Sequence, residues 1–157
     1  MSELRCVYIE DVRNREVMLL DDSICYLDKL TQLSFEGTNL CNLPDEIGYL
    51  VSLKILLLDG CCQLDELPES FTRLTNLVEL SARACSFTSL PANFGNLHAL
   101  QVLELENSID EIVIPPSFLY LTCLQQLSTH YDLVTPPGYD VFITTLQENG
   151  CKFTQNA

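Results

Sequence analysis

From Leu30 onward the chain repeats two apolar phrases in turn. The first reads Leu30-Thr-Gln-Leu33-Ser-Phe35, and it returns beginning at Leu53, Leu77, Leu100 and Leu124. The opening leucines are separated by 23, 24, 23 and 24 residues. The middle of each phrase alternates with period two, which predicts a short strand. The second phrase is Leu43-Pro44, Leu67-Pro68, Leu90-Pro91 and Ile114-Pro115, followed by the pairs Ile47/Leu50, Phe71/Leu74, Phe94/Leu97 and Phe118/Leu121. Proline lacks an N–H and fixes φ, so it ends strand pairing and begins a return segment. The three-residue spacing that follows suits one turn of 3-10 or α helix. One such strand cannot bury its leucines alone, whereas stacked coils align them into a continuous core. Five or six coils at about 4.8 Å per strand make a parallel sheet roughly 25 Å across.

Taken together the phrases read LxxLxLxx followed by LPxxIxxL, and this pattern resembles the leucine-rich repeat family closely over residues 30–123 and more loosely toward both ends. It is most similar to the LP-containing class with repeats of about 23 residues. That class includes plant intracellular Ras-group proteins, Ras-pathway scaffolds, plant resistance-protein repeats and effectors of injecting bacteria. The resemblance implies an α/β fold: a curved, right-handed solenoid with a concave parallel β-sheet and short helical or 3-10 convex turns. It also implies a non-catalytic protein–protein interaction module, either a signalling scaffold or a bacterial effector acting in a host cell.

The domain plan is a degenerate first repeat and N-terminal cap over 1–29, four regular repeats over 30–123, and a last degenerate repeat with C-terminal cap over 124–157, together one domain. Counting back one period from Leu30 puts Val17, Leu20, Ile24 and Leu27 in a convex half, with Asp21 where other coils have proline. Val7, Ile9 and Val12 supply the first strand, and Glu10 falls where a core leucine is expected. At the other end Pro136-Pro137-Gly138 replaces Leu-Pro, and residues 139–150 read as a short helix closed by Gly150. A packed Phe153 followed by a frayed end is expected after it.

Composition narrows the partners. Acidic residues outnumber basic ones 22 to 8, for a net charge of -14 and a pI near 4.2. Nucleic acid and anionic membrane both require clustered Lys and Arg, so neither is expected. The first residues are charged and carry no apolar h-region, so no signal peptide is expected. The expected compartment is the cytoplasm, or a host cytosol if the chain is delivered by an injecting bacterium.

Eight cysteines make up about 5% of the chain, below the roughly 8–10% of a disulfide scaffold. The ninth repeat position turns the chain beneath the strand and holds Thr38, Cys61, Cys85, Ser108 and Asp132, all able to hydrogen-bond buried backbone. Cys61 and Cys85 therefore read as buried ladder thiols, and folding in reducing buffer is expected. Cys41 and Cys62 read as exposed. One extra residue in 58–67 and another in 105–114 predict small bulges after the strand.

Motifs for nucleotide, zinc-protease, serine-hydrolase or EF-hand chemistry are absent, so no cofactor and no metal ligand is assigned. The competing reading is a small cysteine- or histidine-dependent enzyme or metal-binding protein using the cysteines and His130. Zinc content and free thiols discriminate between the two. Bacterial effectors of similar repeat class can carry a ubiquitin-ligase domain after the array, but only about thirty residues follow Leu124 here, too few for a second domain.

The candidate site lies on strand residues that point out of the core. Fifth positions give Ser34, Leu57, Ser81, Glu104 and Ser128; seventh positions give Glu36, Asp59, Arg83, Glu106 and His130. Stacking sets them in columns, joined by Glu79 and Ile55 from the third position. Arg83 is the one positive charge among the carboxylates, while Ile55, Leu57 and Tyr131 are the apolar anchors. The expected partner is a protein with a basic, partly apolar surface. A monomer is expected, and weak self-association through the open edge of an end coil is compatible with it.

Overall fold

The computed structural model describes residues 4–9, 18–86, 88–106, 112–130 and 133–156. Eleven short strands lie among them: β1 (Cys6–Tyr8), β2 (Met18–Leu19), β3 (Gln32–Ser34), β4 (Leu40–Asn42), β5 (Ile55–Leu57), β6 (Glu79–Ser81), β7 (Val102–Leu105), β8 (Ile112–Val113), β9 (Gln126–His130), β10 (Leu133–Val134) and β11 (Lys152–Asn156). Seven form one sheet in the order β1-β3-β5-β6-β7-β9-β11, every pair parallel. The register sets Val7, Leu33, Leu56, Leu80, Leu103, Leu127 and Phe153 in a single row on the core side. At about 4.8 Å per step this sheet is roughly 29 Å wide, one or two strands more than the periodicity predicted.

The return segments are 3-10 turns at Asp22–Tyr26, Asp45–Tyr49, Glu69–Arg73, Phe94–Asn96 and Pro116–Tyr120. Pro44, Pro68 and Pro115 sit at their N-caps in extended backbone, as a residue locked near φ -65° should. Asp21 takes that place in the first coil, where its carboxylate accepts the Ser23 N–H at 2.8 Å and caps the turn chemically. Buried Phe71, Phe94 and Phe118 stack along the coils with centroids 6.3 and 6.1 Å apart, and the column ends on Tyr139 and Phe142. Adjacent turns approach so closely that a Cβ on Gly48 would meet the Ser70 carbonyl, and one on Gly95 the Ser117 carbonyl.

Both ends depart from simple counting. Val7 pairs with Leu33, an offset of 26 residues, so the first coil is longer than the regular period. The core row is therefore filled by Val7, and Ile9 also packs against the core. Glu10, Val12 and Val17 lie outside the described residues, as do Ser108, Asp132 and the inserted stretch 107–111. The extra residue of 58–67 is taken up in a turn at residues 62–63.

At the far end the helix α1 (Tyr139–Glu148) closes through left-handed Gly150. The Gly150 N–H reaches the Gln147 carbonyl and the Cys151 N–H the Leu146 carbonyl, a Schellman closure. The expected frayed tail is corrected: residues 152–156 form β11 alongside β9. Gly150 turns the chain back, the Lys152 N–H bonds the Gln125 carbonyl, and Phe153 enters the core row. No helix among the described residues is long and apolar enough to cross a membrane.

Two outcomes test this register. Leu56 and Leu80 are fully buried, so either changed to Ala should cost about 2–5 kcal/mol in denaturant unfolding. A change below about 1 kcal/mol at both would contradict the alignment. The eighth position is left-handed in three successive coils, at Gly37, Gly60 and Ala84 (φ 55°). A Cβ is strained there by about 1–2 kcal/mol, while glycine adds unfolded-state entropy of about 0.4–1 kcal/mol. Ala84→Gly should therefore raise stability by several tenths of a kcal/mol or more.

Candidate functional site

The sheet face away from the core carries the third and fifth positions of each coil. Two columns run across it: Cys6, Gln32, Ile55, Glu79, Val102, Gln126, Lys152, and Tyr8, Ser34, Leu57, Ser81, Glu104, Ser128, Thr154. Strands about 4.8 Å apart leave little room between residues of one column. Ser34, Ser81 and Ser128 are consequently buried between larger neighbours, although the alternation placed them on the open face. Ile55 and Leu57 are half-buried rather than exposed for the same reason.

At the centre stands Arg83. Its Nε donates to Asp59 Oδ2 at 2.9 Å and its terminal nitrogen pairs with Glu104 Oε2 at 2.9 Å. The Arg83 backbone N–H donates to Asp59 Oδ1, and the Ser81 hydroxyl lies 2.7 Å from Asp59 Oδ1 and 2.9 Å from Glu104 Oε2. Gln126 Nε2 donates to Glu104 Oε1 at 2.8 Å. Partial burial pulls the Arg83 guanidinium down, but the charges of Asp59, Glu104 and Glu106 outweigh it and hold its pKa above the ordinary value. Four coils are thus tied by one charge-assisted network whose partners are fixed by stacking.

The carboxylates do not all share in it. Glu36 approaches only Ser34 of its own coil, at 3.3 Å. The Glu79 and Glu106 carboxylates make no hydrogen bond or ion pair among the described residues, and Glu106 acts on Arg83 through its charge alone. Tyr131 lies outside the described residues, and for His130 the structure describes only the backbone, which pairs with Asn156. Sequence reasoning missed Tyr8, Gln32 and Gln126. The two glutamines were legible as third-position residues; Tyr8 was hidden by the longer first coil. Tyr8 is 61% exposed, and its hydroxyl donates to Gln32 Oε1 at 2.8 Å.

Beneath the strands the ninth-position ladder is present. Thr38 Oγ1 donates to the Phe35 carbonyl at 2.7 Å, Cys61 Sγ to the same carbonyl at 3.2 Å, and Cys85 Sγ to the Leu58 carbonyl at 3.2 Å. Each thiol thus satisfies a backbone oxygen of the preceding coil. Burial pushes the Cys85 thiol up to about 12 and raises Cys61 as well. Such thiols are poor nucleophiles and poor metal ligands. Cys6, Cys62 and Cys123 are exposed, and Cys41 is half-buried rather than open. Among the described residues no group of three or more His, Cys, Asp or Glu is placed to hold a metal ion.

A family model described as a leucine-rich repeat region matches residues 2–106. The functional domain of InlJ from Listeria monocytogenes, which includes a cysteine ladder, is 27% identical with a TM-score of 0.60 over 71% of this chain and 22% of that one. A leucine-rich repeat protein of Leptospira interrogans is 26% identical, TM-score 0.53, over 86% and 39%. The plant peptide hormone receptor RGFR1 in complex with RGF2 is 25% identical, TM-score 0.62, over 87% and 26%. The chain thus spans well under half the length of these structures. A comparison with curated proteins gave no significant match.

The buried thiols set a measurable pH limit. An unfolded thiol ionises near 9, whereas Cys85 stays protonated to about 12, so the folded state holds more protons in that window. Stability should be level below pH 9 and fall above it, by up to about 1.4 kcal/mol per pH unit for this group. Urea unfolding from pH 7 to 10.5 checks this, and Cys85→Ser should lessen the fall without abolishing it, because Cys61 is raised as well.

Proposed function

The chain belongs to the leucine-rich repeat family, and on that premise we propose that it is a non-catalytic binding module whose concave sheet face receives a protein partner with a basic, partly apolar surface. The observation that carries this reading is the uneven neutralisation of that face. Arg83 is held by Asp59 and Glu104, while Glu36 and Glu79 pair with no cation among the described residues and Glu106 reaches Arg83 only through its charge. Such a face attracts basic partners and steers their approach. Seven strands offer room for a standard interface, about 800 Å² on this side. The bound RGF2 of the plant receptor supports a polypeptide as the class of ligand.

In this reading the cysteines serve the fold and the chain carries out no reaction. It acts in the cytoplasm as a signalling scaffold, or in a host cytosol as a bacterial effector, and its monomer is the binding unit.

Capture of partners from cell extracts on the immobilised chain, identified by mass spectrometry, provides the ligand for a direct test. Glu36→Lys with Glu106→Lys is the suitable variant, because Glu104 anchors Arg83 and Gln126 and its reversal would disturb the face itself. The double variant should fold normally and lose about tenfold in affinity at low ionic strength, with the difference shrinking in high salt. Unchanged affinity would move the site off the concave face.

A further inference from the structure

At the N-terminal end of the sheet face lies a cavity of about 170 Å³ whose lining includes Tyr8, Gln32, Ile55, Leu57 and Glu79. Its floor is apolar, made by the half-buried Ile55 and Leu57 from β5. One wall is the exposed Tyr8 ring, tethered through its hydroxyl to Gln32. The opposite rim is the Glu79 carboxylate, half-buried and without a hydrogen bond or ion pair among the described residues.

We infer that this cavity is a subsite for one arginine side chain of the partner, with the guanidinium between Glu79 and the Tyr8 ring and the methylene stem over Ile55 and Leu57. The inference rests on the concave face being the partner site, and it names the chemistry read there. An amphipathic stem beneath a cationic head fits an apolar floor with a carboxylate rim. A planar guanidinium pairs with a carboxylate and also stacks on an aromatic face, which an ammonium does less well. The same sheet face already pairs a guanidinium with carboxylates: Arg83 is held between Asp59 and Glu104. Arg83 makes its ion pairs with Asp59 and Glu104, and none with Glu79.

The test is a backbone-amide NMR titration of the whole chain with Nα-acetyl-arginine methylamide, up to about 50 mM, the range suited to a ligand this small. Nα-acetyl-citrulline methylamide serves as the uncharged isostere. Arginine should give saturable shifts centred on Ile55, Leu57 and Glu79, and bind about fivefold more tightly than citrulline, the size expected of one partly exposed ion pair. Glu79→Gln should remove that preference without lowering the melting temperature, while Glu148→Gln on α1 should leave it intact. Equal binding of the two compounds, or no saturable shift around the cavity, overturns the subsite. That failure is separable from failure of the binding face, which is read from the affinity of the Glu36→Lys, Glu106→Lys variant for the captured partner.

Discussion

A three-residue strand can neither pair its own backbone groups nor bury its own leucines, so each coil of this protein depends on the next. Parallel pairing at about 4.8 Å per strand satisfies the backbone, and the same step brings the leucine of one coil over that of its neighbour. The remaining features serve that stacking. Proline or Asp21 ends the strand phase and starts the return turn. Gly48 and Gly95 let neighbouring turns approach, and the ninth-position thiols satisfy carbonyls that stacking buries.

The constraint that builds the core also builds the outer face. Register converts residues 21–24 positions apart into contacts, which is how Asp59, Ser81, Arg83, Glu104 and Gln126 meet in one network. Charge is distributed by the same rule. Where a cation meets the carboxylates, as Arg83 meets Asp59 and Glu104, the face is internally satisfied; at Glu36 and Glu79 no ion pair is made among the described residues. An acidic chain with a self-contained centre and unbalanced flanks is suited to a partner that brings its own positive charge.

Much of this was legible in the sequence, because the repeat is nearly exact from Leu30 to Leu124. Position in the phrase alone identified Leu56 and Leu80 as core, Cys61 and Cys85 as ladder residues, and Asp59, Arg83 and Glu104 as neighbours. Reading failed where the period changed. The first and last pairings have offsets of 26 residues, so counting in steps of 23 placed Glu10 in the core row and missed both Tyr8 and β11. It also failed where direction alone was used to infer exposure. Ser34, Ser81 and Ser128 point to the open side, yet larger flanking side chains cover them. Alternation gives the side of a sheet; the sizes of column neighbours decide access.

The central claim is that stacking creates one acidic functional face, on the sheet and not on the 3-10 turns. Hydrogen–deuterium exchange of the chain, free and bound to its captured partner, addresses it most directly. Added protection should fall on the segments 34–37, 57–60, 79–84 and 104–106, with the turns at 45–49, 69–73 and 116–120 unchanged. Protection confined to those turns, with the sheet segments unaltered, would contradict the account.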